Sequence, residues 1–365
     1  MPRTLLGIQA ARGIAALLVV LFHAERALTL PQYVGHPPWG GITRFGHAGV
    51  DFFFVLSGFI IYYVHRGDLG HPDALPRYAA RRASRIYPPY WAMTAILLIL
   101  GIAAHGLDRL PGPATLLQSL LLTPGDHDLI LGVAWTLVRE LAFYVLFGLA
   151  ILDRRLAAAG VLAYATLGWA PLPDWAEPLH FWGAGWYDAL FVVGIGAAWA
   201  TLHAPFPRPR TLALLGAAAF LLAGLAENAA LLPMAGPPGR LAYGLASAAV
   251  IVGLAQAERA GRLPVAPSLA LLGAASYSIY LVHSPVLGYA ARAMLMAGLL
   301  AHVPDWLAMA LAVAIAAAAG LAFHRWVERP LTVAAARLTK RPSARIAPSA
   351  TRAAGPAAGS ATRQT

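Results

Sequence analysis

The sequence has no cysteine among its 365 residues. A disulfide, a thiolate nucleophile and a cysteine-based metal site are therefore excluded. Charge is also scarce, because Asp, Glu, Lys and Arg make up 12% of the chain, about half of the roughly 25% usual in soluble globular proteins. A phosphate-binding loop, a Gly-x-Ser-x-Gly elbow and a His-Glu-x-x-His motif are absent too. We therefore assign no metal site.

Apolar side chains are what the sequence has in abundance. They account for 59% of the residues, and the mean hydropathy is +0.63. A soluble domain of this length would need more charge to cover its surface, so the composition predicts an integral membrane protein and excludes a disordered or fibrous chain. The net charge of +11 would suggest a nucleic-acid partner in a soluble protein. Here the arginines lie between apolar runs, so we interpret them as a topology signal and expect no nucleic acid.

The apolar runs have the length of membrane spans, since about 20 apolar residues cross the bilayer core. The ten predicted spans are residues 5–24, 48–64, 87–106, 129–152, 156–172, 186–202, 211–232, 241–257, 268–290 and 304–323. With the N-terminus in the cytoplasm, the inner side receives 20 of the 27 Lys and Arg residues and the outer side receives 5. This asymmetry predicts an all-α polytopic membrane protein with about ten transmembrane helices and both termini cytoplasmic.

The chain divides into two parts by composition. Residues 1–335 form the predicted membrane domain. Residues 336–365 are rich in Ala, Pro, Ser, Thr and Arg without periodicity, which predicts a disordered, basic cytoplasmic tail. Arg12 interrupts the first apolar run and no clear cleavage site follows it. We therefore expect the first span to be retained rather than cleaved as a signal peptide.

Several ionisable residues fall inside the predicted spans, where they are costly and mark functional sites by default. Arg12 and His23 are 11 residues apart on the first span, so they share a face about 16 Å apart along the axis. Asp51 begins the second span at a depth similar to His23, and Glu140 lies in the fourth span. A neutral imidazole supported by a carboxylate can take a proton from a hydroxyl. His23, Asp51 and Glu140 are therefore candidate catalytic residues.

Each of these residues also has a structural interpretation. His23 is compatible with an interfacial histidine at a helix end, and Asp51 with a helix N-cap. Glu140 is compatible with neutralising an arginine, although its neighbour Arg139 points about 100° away on a helix.

A second polar group lies at the inner face, where Arg82 and Arg85 are three residues apart and project together. Such guanidinium pairs bind phosphate, although arginines at this face also fix topology. Ser57 and His283 are further polar candidates inside spans, and for His283 packing against neighbouring helices is the alternative. Glu328 lies in His-Arg-Trp-Val-Glu-Arg-Pro, which we interpret as an interface anchor with a Glu–Arg pair.

Together these segments resemble the membrane-bound acyltransferase family 3, and within it the exopolysaccharide O-acetyltransferase branch. The motifs occur in the family's order between about residues 5 and 335. They are the stretch 8–23, the stretch 49–58, Arg-Ala-Ser-Arg-Ile-Tyr-Pro at 82–88, Ala-Trp-Thr-Leu at 134–137 with Glu140, the stretch 275–283 and Glu-Arg-Pro at 328–330. Two positions depart from the common pattern: Gln9 replaces a frequent Asp, and Arg139 stands where a small or aromatic residue is usual.

The resemblance implies a ten-helix enzyme that uses acyl-CoA, with no permanently bound cofactor, to acylate hydroxyls of cell-surface or exported carbohydrate. His23 corresponds to the family's essential histidine, and Arg82 and Arg85 match the Arg-x-x-Arg motif associated with the acyl donor. Glu140 matches the acidic residue after Trp-Thr/Ser-Leu, while Arg12 and Asp51 match other recurrent polar positions. We therefore expect a multi-pass O-acyltransferase of the bacterial inner membrane, with acetyl-CoA as donor.

Two other functions remain open from the sequence. A transporter or flippase of a lipid-linked glycan could use Arg12, Asp51 and Glu140 to line a path, although no inverted repeat is detectable. A non-catalytic membrane scaffold would leave the cost of the buried charges unexplained. His23 lies roughly 27 Å along the helix from residue 5, so a cytoplasmic donor must either reach deep into the bundle or act in two stages.

Overall fold

The computed structural model describes residues 5–107, 110–125, 128–169, 185–233, 236–261 and 263–339. These residues form helices and connecting loops without a strand. The helices are α1 (Leu6–Leu28), α2 (Gly49–His65), α3 (Leu75–His105), α4 (Pro113–Leu121), α5 (Trp135–Leu152), α6 (Arg154–Trp169), α7 (Trp186–His203), α8 (Pro209–Asn228), α9 (Pro237–Arg259), α10 (Pro267–Ala274), α11 (Ser276–Met296), α12 (Asp305–Phe323) and α13 (Arg329–Thr339). The predicted all-α class is confirmed.

Seven helical segments in the described residues are long and apolar enough to cross a membrane, and the bent pair α10–α11 makes eight. The other two predicted spans, 156–172 and 186–202, correspond to α6 and α7. Helix α6, with 16 residues, is too short, and α7, with 18 residues, is not apolar enough. Residues 170–172 lie outside the described part. The count of ten and the cytoplasmic placement of both termini therefore stay predictions.

The predicted tail lies mostly outside the described residues, which end at 339. A π-helical turn, His324–Glu328, continues α12 into α13. Helix α13 extends to Thr339, so residues 336–339 are helical and do not belong to a disordered tail.

Helix α1 is central to the bundle, with α2, α9, α10, α11 and α12 packed around it. Small residues allow the closest helix pairs to form, as is common in membranes. Gly58 of α2 and Gly194 of α7 each face the other helix's backbone, and a Cβ at either position would collide with a carbonyl oxygen, that of Phe191 or Val55. This packing fixes α2 in the middle of the bundle, where it carries Asp51 and Ser57.

A bend of 67° separates α10 from α11 at Ala275. Because the helix is interrupted there, the N-terminal turn of α11 begins inside the bundle and not at its surface. Ser276, Tyr277 and Tyr280 of this turn line an internal cavity. Pro285 lies within α11 without ending the helix. The broken span therefore places a helix N-terminus, with its unpaired N–H groups, beside the cavity.

Candidate active site

A cavity that is partly open to the outside lies between α1, α2, α3, α5 and α11. Its polar lining combines residues from all five helices: Arg12, Ser57, Arg82, Arg85, Thr136, Glu140, Tyr144, Ser276, Tyr277 and Tyr280. Apolar side chains such as Phe53, Phe54 and Leu137 complete the wall. Five predicted site residues, Arg12, Ser57, Arg82, Arg85 and Glu140, therefore meet at one place.

Three arginines dominate this cavity electrostatically. Arg12, Arg82 and Arg85 form no hydrogen bond or ion pair with any of the residues that the structure describes. The Nε of Arg82 is buried without a partner, and its guanidinium carbon lies 5.7 Å from the ring centroid of Tyr144. Arg12 and Arg82 are half-buried and Arg85 is exposed. Three guanidinium groups without an ion pair therefore give the cavity a positive charge that suits an anionic ligand.

Glu140 is the carboxylate of the cavity wall, and it is held by two hydroxyl groups. Ser57 Oγ donates to Glu140 Oε1 at 2.7 Å, and Tyr144 OH donates to the same oxygen at 2.6 Å. These bonds join α2 to α5. The neighbouring Arg139 turns away and pairs with Asp188 at 3.4 Å, as the helical angle predicts. The structure therefore does not bring Glu140 into contact with His23.

His23 lies beyond the cavity and contacts a second histidine. Its Nδ1 is 2.9 Å from the carbonyl oxygen of Val19 and 3.3 Å from Nε2 of His283. The two imidazole rings meet edge to face with centroids 4.8 Å apart. The residue that reaches His23 from another helix is thus His283, which sequence reasoning had singled out only as a polar residue inside a span.

An aromatic layer separates the cavity from the two histidines. Tyr280 lines the cavity, and its ring centroid lies 5.5 Å from that of His283 and 6.2 Å from that of Phe53. The Tyr280 hydroxyl lies 2.9 Å from Thr136 Oγ1 and donates to the Val133 carbonyl at 3.0 Å. Tyr280, packed against Phe53, therefore lies between the cavity and His283.

Asp51 belongs to a different buried network. Its side chain has no exposed surface, and Arg240 Nη1 donates to Asp51 Oδ2 at 2.7 Å. The same nitrogen lies 3.3 Å from His47 Nδ1, and His47 Nε2 lies 2.8 Å from Glu227 Oε1. Tyr243 OH donates to Glu227 Oε2 at 2.7 Å. This network joins α2, α8 and α9, and the structure places Asp51 in an ion pair instead of beside His23.

Glu328 is a carboxylate whose role the sequence interpretation missed. It accepts hydrogen bonds from Ser278 Oγ at 2.6 Å and from the ring of His324 at 2.7 Å. The predicted Glu–Arg pair is therefore wrong, because the π-helical turn directs the carboxylate inward to α11. Its charge reaches Arg12, as does that of Glu140. A carboxylate at the end of a long apolar span was the available signal, but sequence spacing could not show which helix it faced.

A second cavity lies at the other end of α1 from Arg12. Its lining includes Phe22, Glu25, Arg26 and Arg44, and the ring of Phe22 lies 5.0 Å from that of His23. The buried Glu25 accepts hydrogen bonds from the backbone of the 39–41 loop and from Thr43. This carboxylate holds the loop against α1, so the cavity has a fixed wall next to His23.

The family model described as an acyltransferase domain matches residues 5–325. The chain belongs to this family. Among curated relatives, the exopolysaccharide production protein ExoZ of Rhizobium meliloti (strain 1021) is 28% identical, covering 86% of this chain and 94% of the relative. Acyltransferase MdmB of Streptomyces mycarofaciens is 30% identical, covering 87% and 89%. The putative membrane-bound transacylase BcsY of Komagataeibacter xylinus is 28% identical, covering 81% and 78%. No solved structure matches the chain.

The family match favours the enzyme over the transporter and the scaffold. The chain is therefore a multi-pass membrane acyltransferase, as the motif order had indicated. Within the described residues, no group of three or more His, Asp or Glu side chains is arranged to hold a metal ion.

Proposed function

We propose that this acyltransferase is an enzyme of the bacterial inner (plasma) membrane that moves an acyl group, in the simplest case acetyl, from acyl-CoA to a hydroxyl of a cell-surface or exported carbohydrate. The observation that carries the donor assignment is the cavity in which Arg12, Arg82 and Arg85 form no ion pair with any described residue. The carbohydrate acceptor is supported by the name of the relative ExoZ, an exopolysaccharide production protein.

Coenzyme A carries a diphosphate and a 3′-phosphate, and arginine forks bind phosphate through two parallel hydrogen bonds. Arg82 and Arg85 on α3 hold these phosphates in our proposal. The N-terminus of α11 adds a partial positive charge at the same cavity, as half-helix termini do for anionic substrates in other membrane proteins. Arg12 lies deeper on α1 and is suited to polar groups of the donor arm.

The transfer step is assigned to His23, whose Nδ1 faces two acceptors, Val19 O and His283 Nε2. The proton therefore belongs on Nδ1, and Nε2 holds the lone pair. Nε2 takes the proton of the acceptor hydroxyl while the hydroxyl oxygen bonds to the thioester carbonyl carbon. The carbon–sulfur bond then breaks, and the leaving CoA sulfur receives the proton from Nε2. General base catalysis of this kind contributes about 10²–10⁴-fold.

The two predicted carboxylates take different places in this proposal. Glu140, fixed by Ser57 and Tyr144, shapes the donor cavity and balances part of its positive charge. Asp51 forms an ion pair with Arg240 and so joins α2 to α9 beside the site. Neither contacts His23, so we no longer assign them the support of its imidazole.

The acceptor hydroxyl reaches His23 from the second cavity, which lies on the side of His23 away from Arg12, Arg82 and Arg85. The acyl group arrives from the other side, past Phe53 and Tyr280. Such an arrangement keeps the charged part of CoA and the carbohydrate at opposite ends of α1. Only the acyl group and the hydroxyl need to meet.

The donor assignment is tested by CoA binding to the purified protein in detergent, measured by calorimetry. We expect Arg82→Gln to raise the Kd for CoA by about 10–100-fold, because a charge-assisted bidentate contact is lost. Arg81→Gln is the matched control, since Arg81 is an exposed arginine on the same helix and does not line the cavity. Equal CoA affinity of Arg82→Gln and wild type would contradict the assignment.

The acceptor class is tested in cells by the O-acetyl content of purified surface polysaccharide, measured by proton NMR. A deletion strain should lose the acetyl signal and regain it with the wild-type chain. A defect in polysaccharide export with unchanged acetyl content per sugar would support the transporter instead.

A further inference from the structure

We infer that His283 is a positioning residue that holds His23 in the tautomer and orientation needed for proton abstraction. The inference deepens the proposed function and rests on it. It starts from the place of His283 in the fold: α11 presents this side chain to α1 with no exposed surface. Its ring packs between His23 and Tyr280, with centroid distances of 4.8 and 5.5 Å.

The hydrogen-bond partners decide which ring nitrogen of His283 carries the proton. Its Nδ1 lies 2.6 Å from the Tyr280 carbonyl oxygen. A carbonyl only accepts, so Nδ1 must be the N–H. In the neutral ring Nε2 is then an acceptor, and this atom lies 3.3 Å from His23 Nδ1.

His23 has a complementary arrangement. Its Nδ1 also faces the Val19 carbonyl, at 2.9 Å, so this nitrogen is the donor and shares its proton between two acceptors. Both rings therefore carry the proton on Nδ1, and the direction of the bond runs from His23 to His283. The consequence is that Nε2 of His23 keeps its lone pair for the hydroxyl.

In many enzymes a carboxylate would orient the catalytic imidazole. Here Asp51 is paired with Arg240, and Glu140 with Ser57 and Tyr144. Val19 belongs to the same helix as His23, so its carbonyl restrains the ring only relative to α1. His283 is the contact from a second helix, and it fixes the ring relative to α11, whose first turn lines the donor cavity.

The contact gains strength during the reaction. When His23 Nε2 takes the hydroxyl proton, the ring becomes an imidazolium, and its Nδ1–H bond to His283 Nε2 becomes charge-assisted. An interaction that strengthens in the transition state raises kcat, while one of constant strength changes KM. Loss of the acceptor at position 283 should therefore appear in kcat.

The first test compares His283→Leu, which removes the acceptor, with His283→Gln, whose side-chain oxygen can occupy the position of Nε2. Transfer is measured in membrane vesicles with acetyl-CoA and the strain's own surface polysaccharide. We expect kcat to fall about 100-fold in His283→Leu, within the range for loss of general base catalysis, with unchanged KM for acetyl-CoA. His283→Gln should retain kcat within about tenfold of wild type, a difference of about 1.4 kcal/mol.

The control is Ser247 in α9, a buried residue whose hydroxyl has no hydrogen-bond partner among the described residues. Ser247→Ala should leave kcat and its pH profile unchanged. The pH profile of kcat should differ between His283→Leu and wild type, because the acceptor for His23 Nδ1 is gone. Equal losses in His283→Leu and His283→Gln, or a change confined to KM, would overturn the inference. If the wild-type chain transfers no acetyl group, the proposed function fails instead.

A second measurement reports the tautomers of the wild-type protein directly. In wild-type protein labelled with ¹⁵N-histidine, the nitrogen shifts report the tautomer of each ring, and His23→Asn identifies the signal of His23. We expect Nδ1–H for both His23 and His283. An Nε2–H tautomer for either ring at neutral pH would overturn the inference.

Discussion

Arg240, at one end of the bundle, and Arg82 and Arg85, at the other, differ in whether they are paired. Arg240 is 8% exposed and is fully engaged, with Asp51 at 2.7 Å and His47 at 3.3 Å. Arg82 and Arg85, at the donor cavity, have no ion pair with the described residues. A paired charge in a membrane protein joins helices, whereas an unpaired charge facing a cavity is available to a ligand. The comparison separates the structural charges of this chain from the functional ones.

The largest effect is expected at His23, which lies between these two ends. His23→Ala should lower the acyl-transfer rate by about 10²–10⁴-fold, because the general base is lost, while CoA affinity stays the same. The measurement is the polysaccharide acetyl signal in a deletion strain carrying equal membrane levels of wild type or variant. His302→Ala, which changes an exposed histidine bonded to the Gly298 carbonyl, is the control. Equal acetylation by His23→Ala and wild type would remove His23 from catalysis.

The paired end should respond in stability. Asp51→Asn leaves Arg240 as a buried charge with a weakened partner, so we expect the free energy of unfolding to fall by about 3–5 kcal/mol. Equilibrium unfolding in mixed micelles measures it. The double variant Asp51→Asn/Arg240→Gln should lose less than the sum of the two single variants. Additive losses would show that the two side chains do not act as a pair.

The unpaired end should respond in binding and not in stability. Arg85→Gln should leave the free energy of unfolding within about 0.5 kcal/mol of wild type, because no ion pair is broken, and should raise the Kd for CoA about tenfold. Calorimetry and unfolding of the same preparation check both values. A marked loss of stability together with unchanged CoA affinity would reverse the comparison.

A smaller loss of stability than at Asp51 is expected at Ser57, which bonds to the carboxylate of the donor cavity. Ser57→Ala removes one of the two hydroxyl donors to Glu140 Oε1. A hydrogen bond to a charged group contributes about 1.5–3 kcal/mol, and we expect the lower limit because the Tyr144 hydroxyl still donates to the same oxygen. We expect a decrease of this size in the free energy of unfolding. Tyr144→Phe, which removes the other donor, is the matched variant. A much larger decrease would mean that Ser57 has a second role in packing α2 against α5.

Much of the site was accessible from sequence because ionisable residues in apolar spans are rare and conspicuous. Arg82 and Arg85 were predicted to project together from their spacing of three residues, and both line the same cavity. Arg139 was predicted to turn away from Glu140, and it pairs with Asp188. These successes concern neighbours on one helix, whose relative directions the helical repeat fixes.

Partners from different helices were beyond the same reasoning. His23 was expected near Asp51 or Glu140 from similar depth, yet depth does not say which faces of two helices meet. His283, 260 residues away, is the actual neighbour, because α11 packs against α1. Glu328 likewise turned to Ser278 and His324, since a π-helical turn changed its direction.

The sequence alone thus determined the membrane class, the helical architecture and the set of candidate polar residues. It could do so because composition and the helical period of 3.6 residues are local properties. Tertiary structure decided how those residues are paired. The bend of 67° between α10 and α11 and the packing of α11 against α1 assign one group of charges to a ligand cavity and another to a structural network. Those contacts depend on helix rotation and on close approach between distant segments, which no spacing along the chain encodes.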